Sequence, residues 1–370
     1  KLEAAGGAAY VSSLTDVVPT SGNVEYYAKI VLDQSTRRSL IKTSREIKAD
    51  SFDETKDSRV ILEEAEQKIF KLTDINQTTK VYGMNDIVPK TIQLIDTRYK
   101  NRGALSGIPS GINKLDSMTS GFQNSEMIII GARPSMGKTA LALSMMETIA
   151  IDKKIPCGFF SLEMAADQIG QRLLSQVARV PGTKIRSGML KIEDFKKLQD
   201  AAVVCFNAPL YICDTPNMKL LDLRAMARRM KVNQGVKIIF IDYIGLITSE
   251  NPDAQMFEQQ SAISKSLKSL ARELEIPIVV LCQVARAAEG DEPNLAQLRG
   301  SGSIEQDADM VMFIHGNRNA NKETNEGYNP VQDRKIIVAK QRNGPIGTVE
   351  LGFQANLTRF VNLERNKSGE

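Results

Sequence analysis

Residues 127–139 have the sequence Met127-Ile128-Ile129-Ile130-Gly131-Ala132-Arg133-Pro134-Ser135-Met136-Gly137-Lys138-Thr139. The apolar run is typical of a buried strand, and residues 140–150, which follow, have the pattern of a helix. A glycine-containing loop in this context is typical of a phosphate-binding loop, because its N–H groups and the helix N-terminus surround a phosphate. The segment 132–139 therefore predicts a bound nucleoside triphosphate; an ordinary turn between a strand and a helix is the alternative.

Two side chains of this loop have defined roles in such a site. Lys138 is expected to reach the β- and γ-phosphate oxygens, and the Thr139 hydroxyl is expected to ligate Mg²⁺. Ala132 stands where the motif usually has its first glycine, with Gly131 just before it.

The composition is that of a soluble globular protein, with 25% charged and 42% apolar residues. A length of 370 residues favours two domains. The net charge of +4 is too small to indicate nucleic-acid binding by itself. Any nucleic-acid surface must come from the placement of Lys and Arg.

The cysteines and the single histidine limit the possible chemistry. The four cysteines lack C-x-x-C spacing and are expected to be buried thiols, mostly on strands, in a reducing compartment: Cys157, Cys205, Cys213 and Cys282. With His315 alone, a His-based metal site or a Ser-His triad is nearly excluded. No apolar run approaches membrane-spanning length and no signal peptide opens the chain, so we expect a cytoplasmic protein without a membrane partner.

Residues 1–75 are predicted to form a helical hairpin. Ser21 can cap a helix that runs to about Ala49, and residues 50–53 form a turn. The second helix carries apolar residues at helical spacing, namely Ile61, Ala65, Ile69 and Leu72. The hairpin is too small to bury both apolar stripes alone, so we expect it to pack on another hairpin or, alternatively, on the rest of its own chain.

Residues 76–105 are predicted to be a linker, since they are polar and contain Gly83, Pro89 and Gly103. Within this linker, the spacing of Ile87, Ile92 and Ile95 predicts a short helix that docks elsewhere.

Residues 106–370 are predicted to form an α/β domain with a mostly parallel central sheet. Buried strands are expected at 127–131, 157–161, 236–241, 278–282, 309–314 and 334–339. Helices such as 256–275 separate them, and the polar, Asn-rich segment 317–333 predicts a mobile loop.

Three of these strands are followed by polar residues, where ligands bind in parallel sheets. Glu163 follows strand 157–161 and could deprotonate an attacking water if that strand lies beside the strand of the phosphate-binding loop. Asp242 ends an apolar strand and is suited to hold Mg²⁺, while Gln283 could sense the γ-phosphate. Each could instead be a helix cap or a turn residue, but the three together favour a nucleotide-hydrolysing site.

Further motifs show a resemblance to a known family. They are Gly107-Ile108-Pro109-Ser110-Gly111 with Leu115-Asp116, Ala132 to Thr139, Phe160-Ser161-Leu162-Glu163-Met164, Ile241-Asp242-Tyr243, Ser301 to Asp309, and Ala339-Lys340-Gln341-Arg342-Asn343-Gly344-Pro345. From about residue 105 to the end, the chain resembles the bacterial and phage replicative DNA helicases of the DnaB family. Residues 1–75 resemble the helical hairpin of that family's N-terminal domain, whose earlier globular part would precede Lys1.

The resemblance implies a homohexameric ring of RecA-like domains with ATP and Mg²⁺ between neighbouring subunits. One subunit would supply Lys138, Thr139, Glu163 and Asp242. The next subunit would supply Lys340 and Arg342, the latter as an arginine finger on the γ-phosphate. These two residues follow a strand and precede a turn, so their heads are expected to project from an edge; a solvated basic hairpin is the alternative.

The resemblance also implies contacts with single-stranded DNA through residues 249–260 and 285–303, which would line the channel of the ring. The residues that match the family's DNA-contacting segment are Arg299, Gly302 and Ser303, and Gly300 in the same segment stands where many members of the family carry an acidic residue. Backbone N–H groups and a few cations there would follow phosphates without reading bases, although the two glycines could simply form a turn.

The predicted function is therefore an ATP-dependent replicative helicase that moves 5′ to 3′, unwinds duplex at the fork, and has a primase and a helicase loader as partners. The rival hypothesis is a RecA-like ATPase of recombination or assembly type, in which ATP controls assembly and not unwinding. A third is an ATPase module that cannot unwind DNA without a preceding N-terminal portion.

Overall fold

The computed structural model describes residues 24–53, 55, 57–75, 83–100, 105–251, 253–284, 292–298, 302–316 and 331–363. The chain divides into two compact units, residues 1–99 and residues 100–370. Ser21, the predicted helix cap, and residues 317–330 of the predicted mobile loop lie outside the described residues.

The described part of the first unit is helical. Its helices are α1 (Val24–Ser51), α2 (Ser58–Ile75) and α3 (Met84–Lys100). The Lys68 ammonium on α2 lies 2.7 Å from Asp50 Oδ2 on α1. In the turn between the two helices, the Asp53 carboxylate accepts a hydrogen bond from the Thr55 N–H. Helices at these positions agree with the sequence pattern. Apolar side chains such as Val31, which is 64% exposed, remain uncovered.

The second unit is built on one sheet, whose strands are β1 (Met127–Ala132), β2 (Cys157–Ser161), β3 (Leu210–Cys213), β4 (Ile238–Asp242), β5 (Ile278–Gln283), β6 (Met310–His315), β7 (Val331–Gln341), β8 (Gly347–Gln354) and β9 (Arg359–Asn362). They lie in the order β3-β2-β4-β5-β1-β6-β7-β8-β9. The pairs from β3 across to β6 are parallel, and the pairs from β6 to β9 are antiparallel. The predicted mostly parallel sheet is thus confirmed; β3, β8 and β9 were not predicted.

Helices cover both faces of the parallel strands. They are α4 (Asn113–Thr119), α5 (Lys138–Met146), α6 (Ala166–Ala178), α7 (Gly182–Ser187), α8 (Ile192–Phe206), α9 (Leu220–Asn233), α10 (Met256–Leu274) and α11 (Gly302–Asp307). Every residue of β1 is buried, because apolar clusters pack on each side of the sheet. The phosphate-binding loop therefore starts from the rigid centre of the unit.

Several predicted bounds are wrong. The helix predicted over 140–150 begins at Lys138 and changes to a π-helix at Glu147. There the Glu147 carboxylate, which is buried, accepts two hydrogen bonds from the Arg359 guanidinium on β9, at 2.9 and 3.1 Å.

Residues 256–260 of the first predicted DNA loop are the start of α10, whose buried stripe begins at Ile263.

Strand order is the main difference from the sequence analysis. The strand β2 does not lie beside β1, because β4 and β5 are inserted between them. The last predicted strand, 334–339, extends over 331–341, so Asp333 is part of β7 and not of a loop.

Two of the four cysteines fit the prediction of buried strand thiols. Cys157 and Cys282 are buried, and burial raises the pKa of the Cys282 thiol to about 11. Cys205 lies instead on α8, and both Cys205 and Cys213 are only half-buried. Among the described residues, none of the helices has the length and apolar character needed to cross a membrane.

Candidate nucleotide-binding site

The loop between β1 and α5 has the conformation that a phosphate cradle requires. Gly137 has φ +93° and Ser135 has φ +66°, both in the left-handed region. A Cβ on Gly137 would lie 3.1 Å from the ring of Phe360, so a side chain there would strain the backbone and require the ring to shift. Gly137 precedes α5 without a side-chain cap, which leaves the first N–H groups of the helix directed into the loop.

Lys138 and Thr139 both contact Asp242 at the carboxyl end of β4. The Thr139 hydroxyl donates to Asp242 Oδ2 at 2.6 Å, and the Lys138 ammonium lies 2.9 Å from Oδ1. The ammonium also lies 4.0 Å from the centre of the Tyr243 ring. Asp242 is only 1% exposed, so its charge acts in a low-dielectric environment.

Glu163 reaches the same lysine by a different route from the one predicted. Its Oε2 lies 3.9 Å from the Lys138 ammonium, although β2 and β1 are not neighbours. The segment after β2 is held over the end of β4, because the Leu162 N–H donates to the Asp242 carbonyl at 2.8 Å. The Glu163 side chain is 54% exposed and so is accessible to water.

These residues line one cavity of about 370 Å³. Its lining is Ala132, Arg133, Pro134, Ser135, Gly137, Lys138, Thr139, Ala140, Glu163, Arg172, Gln283, Phe353 and Thr358. Gln283 is included because β5 pairs with β1 so that Gln283 lies opposite Ala132. The structure thus brings together the phosphate-binding loop and two of the predicted strand-end residues, Glu163 and Gln283. Asp242 does not line the cavity but contacts Lys138 and Thr139.

The polar atoms present fit Mg²⁺ held jointly with phosphate. Asp242 Oδ1 is buried and accepts no hydrogen bond from the part of the chain that is described; its partner is the Lys138 ammonium. A carboxylate and a hydroxyl are hard oxygen ligands, and Mg²⁺ in nucleotide sites takes few protein ligands besides phosphate and water. The described residues contain no cluster of three His, Cys, Asp or Glu side chains suited to a metal.

Lys340 and Arg342 do not line this cavity. The Lys340 ammonium donates to main-chain carbonyls of Glu305, Gln306 and Ala308 at the end of α11. Burial, and next the charge of Arg342, lower the pKa of Lys340. Lys340 also lies inside β7, so the expectation that its head projects from an edge is wrong. Arg342 is different, since its side chain is 46% exposed.

The predicted DNA-contacting residues are only partly described. Arg299 and Gly300 lie outside the described residues, and Gly302 begins α11. Ser303 is buried, with the whole residue 8% exposed.

Comparison with known sequences decides the family. Residues 107–362 match the sequence model of the DnaB-like helicase C-terminal domain. The chain belongs to the DnaB-like helicases. It is 54% identical to the replicative DNA helicase DnaB of Treponema pallidum over 97% of this chain and 80% of that protein. It is 42% identical to the replicative DNA helicase DnaB of Geobacillus stearothermophilus over 99% of this chain and 80% of that protein.

Solved structures have the same fold. A DnaB-like replicative helicase, whose structure was reported together with its interactions with primase, superimposes with a TM-score of 0.76 at 29% identity over 98% of this chain and 85% of that chain. A solved ATPase domain superimposes with a TM-score of 0.71 at 32% identity over 77% of this chain and 100% of that chain. The chain is therefore an ATP-hydrolysing replicative DNA helicase with a RecA-like fold, and none of these comparisons favours the recombination-type alternative.

Sequence reasoning missed four residues that line the candidate nucleotide cavity, namely Ala140, Arg172, Phe353 and Thr358. Arg172 has no hydrogen bond or ion pair within the described part of the chain, and burial lowers its pKa against the opposing charges of Asp242 and Glu163. A second cavity of about 330 Å³, which Arg186 also lines, shares Arg172 and Thr358 with the first. Arg172 lies on α6, where one polar residue among several gave no signal that distinguished it from its neighbours.

Proposed function

We propose that the chain forms a six-membered ring that hydrolyses ATP at the boundaries between subunits and moves along single-stranded DNA from 5′ to 3′. One observation carries the proposal: Lys138, Thr139, Glu163 and Gln283 line one cavity, whereas Arg342 lies elsewhere on the same chain with an exposed guanidinium. A site completed by the next subunit accounts for both facts.

Within one subunit, the charges that face the cavity define the roles of its residues. Lys138 binds the β- and γ-phosphate oxygens, and Glu163, exposed at its tip, orients and deprotonates the attacking water. Gln283 contacts the γ-phosphate when it is bound, because Gln283 lies opposite Ala132, the residue at which β1 enters the phosphate-binding loop. Arg172 supplies a further cation to the phosphates, since its guanidinium faces the cavity without a partner among the described residues.

Thr139 and Asp242 are the residues that would hold Mg²⁺. When bound, this ion would neutralise charge on the phosphate oxygens and fix their geometry. Asp242 would have a second role, because its Oδ1 lies 2.9 Å from the Lys138 ammonium and so fixes the position of that charge.

We assign the contact across the boundary to Arg342. A planar guanidinium matches the charge that develops on the γ-phosphoryl oxygens, and an arginine finger contributes about 10³-fold or more in rate. The Lys340 donors are bonded to carbonyls of its own chain, so a contact with the neighbour's nucleotide would require Lys340 to exchange those bonds.

Exposed apolar stripes support a contact that closes the ring. On α3, Val88, Ile92, Ile95 and Tyr99 recur at helical spacing and are 46%, 59%, 55% and 64% exposed. On α8 a second stripe, formed by Ile192, Phe195, Val203 and Phe206, is 91%, 55%, 64% and 90% exposed. Apolar stripes of this size are normally covered, and we propose that α3, as the linker helix, packs on α8 of the next subunit.

The other proposed partners follow from the family. DNA would pass between segments 249–255 and 285–303 of the subunits, where few base-reading contacts are needed. The helical hairpin would form a collar that binds primase, in line with the primase interactions reported for the solved relative. A helicase loader would open or assemble the ring around DNA.

Unwinding of a forked duplex with ATP and Mg²⁺ tests the proposal. Lys138→Ala, Glu163→Gln and Arg342→Ala should each abolish unwinding, and activity retained in all three would reject the assignment. Mixed rings test the shared boundary. Arg342→Ala and Lys138→Ala subunits, each inactive alone, should together recover ATP hydrolysis, because some boundaries then combine an intact loop with an intact finger.

A further inference from the structure

The carboxylate of Asp309 connects the proposed finger to the strand of the phosphate-binding loop. Asp309 lies just before β6 and is buried at 7% exposure. Its Oδ1 accepts a hydrogen bond from Arg342 Nη1 at 3.2 Å. Its Oδ2 accepts hydrogen bonds from the Met127 N–H at 2.8 Å and from the Lys268 ammonium at 2.6 Å. One carboxylate therefore fixes β1, α10 and the residue after β7 relative to one another.

These contacts orient the Arg342 guanidinium without covering it. Besides Asp309 Oδ1, the carbonyl of Gln306 accepts a hydrogen bond from Arg342 Nη2, and the Arg342 main-chain N–H donates to the Asp309 carbonyl at 2.9 Å. A guanidinium has five N–H donors in a rigid plane, so two acceptors fix the plane and leave other donors available. The side chain remains 46% exposed, as a group that serves another subunit must be.

The other end of the connection is the start of the phosphate-binding strand. Met127 is the first residue of β1, which leads directly into the loop at Ala132. Lys268 strengthens this junction, because its ammonium also donates to the Ser125 carbonyl at 2.9 Å. The position of Arg342 is thus tied to the strand that leads into the loop before the same subunit's Lys138.

We propose that Asp309 is a positioning residue for ATP hydrolysis: it holds Arg342 of its own subunit in the orientation in which the finger meets the γ-phosphate of the neighbouring subunit. This inference rests on the proposed role of Arg342 across the boundary. Asp309 does not line the nucleotide cavity of its own subunit, so we infer that it affects hydrolysis through the position of Arg342.

Asp309→Asn is the informative substitution. It keeps an oxygen for the Met127 N–H but replaces the other oxygen with an amide donor facing the donors of Arg342. A misplacement of about 1 Å in such a group costs about 10²-fold in rate, so we expect kcat for ATP to fall by roughly 10- to 100-fold. KM for ATP should change by less than about twofold, because the phosphate-binding loop of the substituted subunit is intact.

Mixed rings distinguish a role of Asp309 in the ATP site of the neighbouring subunit from a role in the ATP site of its own subunit. Asp309→Asn subunits mixed with Lys138→Ala subunits should recover hydrolysis, since the Lys138→Ala subunits supply a correctly held Arg342 to intact loops. The Arg342→Ala and Lys138→Ala mixture is the reference. If the reference recovers and the Asp309→Asn mixture stays inactive, Asp309 serves its own loop and the inference is overturned. If the reference itself stays inactive, the proposed function fails, and this inference fails with it.

A matched variant controls for the loss of a carboxylate–arginine pair as such. Glu273→Gln removes a pair with Arg228 and should leave kcat within about twofold of wild type. Ring assembly of each variant is measured by mass photometry. If Asp309→Asn does not assemble, Asp309→Glu keeps the charge but displaces it by one methylene, and it should assemble with a reduced kcat. A wild-type kcat in an assembled Asp309→Asn or Asp309→Glu ring would overturn the inference.

Discussion

The Thr139 hydroxyl donates to Asp242 Oδ2 across 2.6 Å, which joins the first turn of α5 to the end of β4. The two residues are 103 positions apart in the chain, and the contact exists because α5 begins, and β4 ends, at the same edge of the sheet. The pair presents two hard oxygen ligands beside the Lys138 ammonium, which is the arrangement expected where Mg²⁺ and phosphate bind together.

Thr139→Val should reduce ATP hydrolysis by about 10- to 100-fold, because it removes one oxygen ligand while keeping the side-chain shape. The Mg²⁺ concentration that gives half the maximal rate should rise as well. Thr139→Ser, which retains the hydroxyl, is the control and should stay near wild type. A Mg²⁺ titration of the valine variant that superimposes on that of wild type would remove Thr139 from the proposed metal site.

Gly137→Ala should lose nucleotide affinity by at least about 10-fold, since a left-handed backbone carries a strain of about 1–2 kcal/mol for an alanine and its Cβ would press on the Phe360 ring. Gly188→Ala is matched, because Gly188 has φ +70° but no heavy atom within 4 Å of the added Cβ. Fluorescent-nucleotide titration and thermal unfolding of both variants separate local strain from the loss of the cradle. Equal nucleotide affinities in the two variants would contradict the prediction.

Arg172→Ala should weaken ATP binding by about 10- to 100-fold, the range expected for the loss of a charge-assisted hydrogen bond. Thermal stability without nucleotide should change little, because the guanidinium has no hydrogen-bond partner within the described part of the chain. Arg186→Ala is the control, as Arg186 lines only the adjacent cavity. ATP dissociation constants measured by equilibrium titration decide the question, and equal values for the Arg172 variant and wild type would exclude the phosphate contact.

Site residues could be predicted where the residues that indicate them are consecutive in the sequence. The phosphate-binding loop and the strand ends at Asp242 and Gln283 are readable because a buried strand, a loop and a polar residue are consecutive in sequence. Glu163 was predicted on the condition that β2 lies beside β1, which is wrong. Its 3.9 Å approach to Lys138 instead depends on the hydrogen bond between Leu162 and Asp242, which no local pattern encodes.

Residues whose role depends on strand order could not be predicted. Phe353 and Thr358 reach the cavity only because the antiparallel strands β7 to β9 extend the sheet beside β6. The bonds of Lys340 to the end of α11 likewise require β7 to pair with β6. Alternation of apolar residues indicates that a strand exists, but it does not indicate its neighbours.

The pair of Glu273 with Arg228 and Arg224 should make stability depend on pH. Burial alone would raise the pKa of Glu273, but hydrogen bonds and charges from the two arginines hold it below its ordinary value. The stabilisation is therefore present above the unfolded pKa and is lost as pH falls through the folded pKa. Glu273→Gln should lower the free energy of unfolding by about 1–2 kcal/mol at neutral pH. This difference should shrink in denaturant titrations at successively lower pH, and a constant difference would contradict the assignment.

A charge on either proposed boundary stripe should break the ring. Ile92→Asp on α3 and Phe206→Asp on α8 each place a carboxylate where apolar contact is proposed, and the unfavourable burial is repeated at every boundary. We expect both variants to shift from six-membered rings to smaller species in mass photometry, and to lose ATP hydrolysis because Arg342 no longer meets a neighbouring site. Val232→Asp is the matched control, since Val232 is apolar and 80% exposed but lies at the end of α9, outside both stripes. Rings that persist in both stripe variants at the concentrations at which wild type assembles would show that α3 and α8 do not form the boundary.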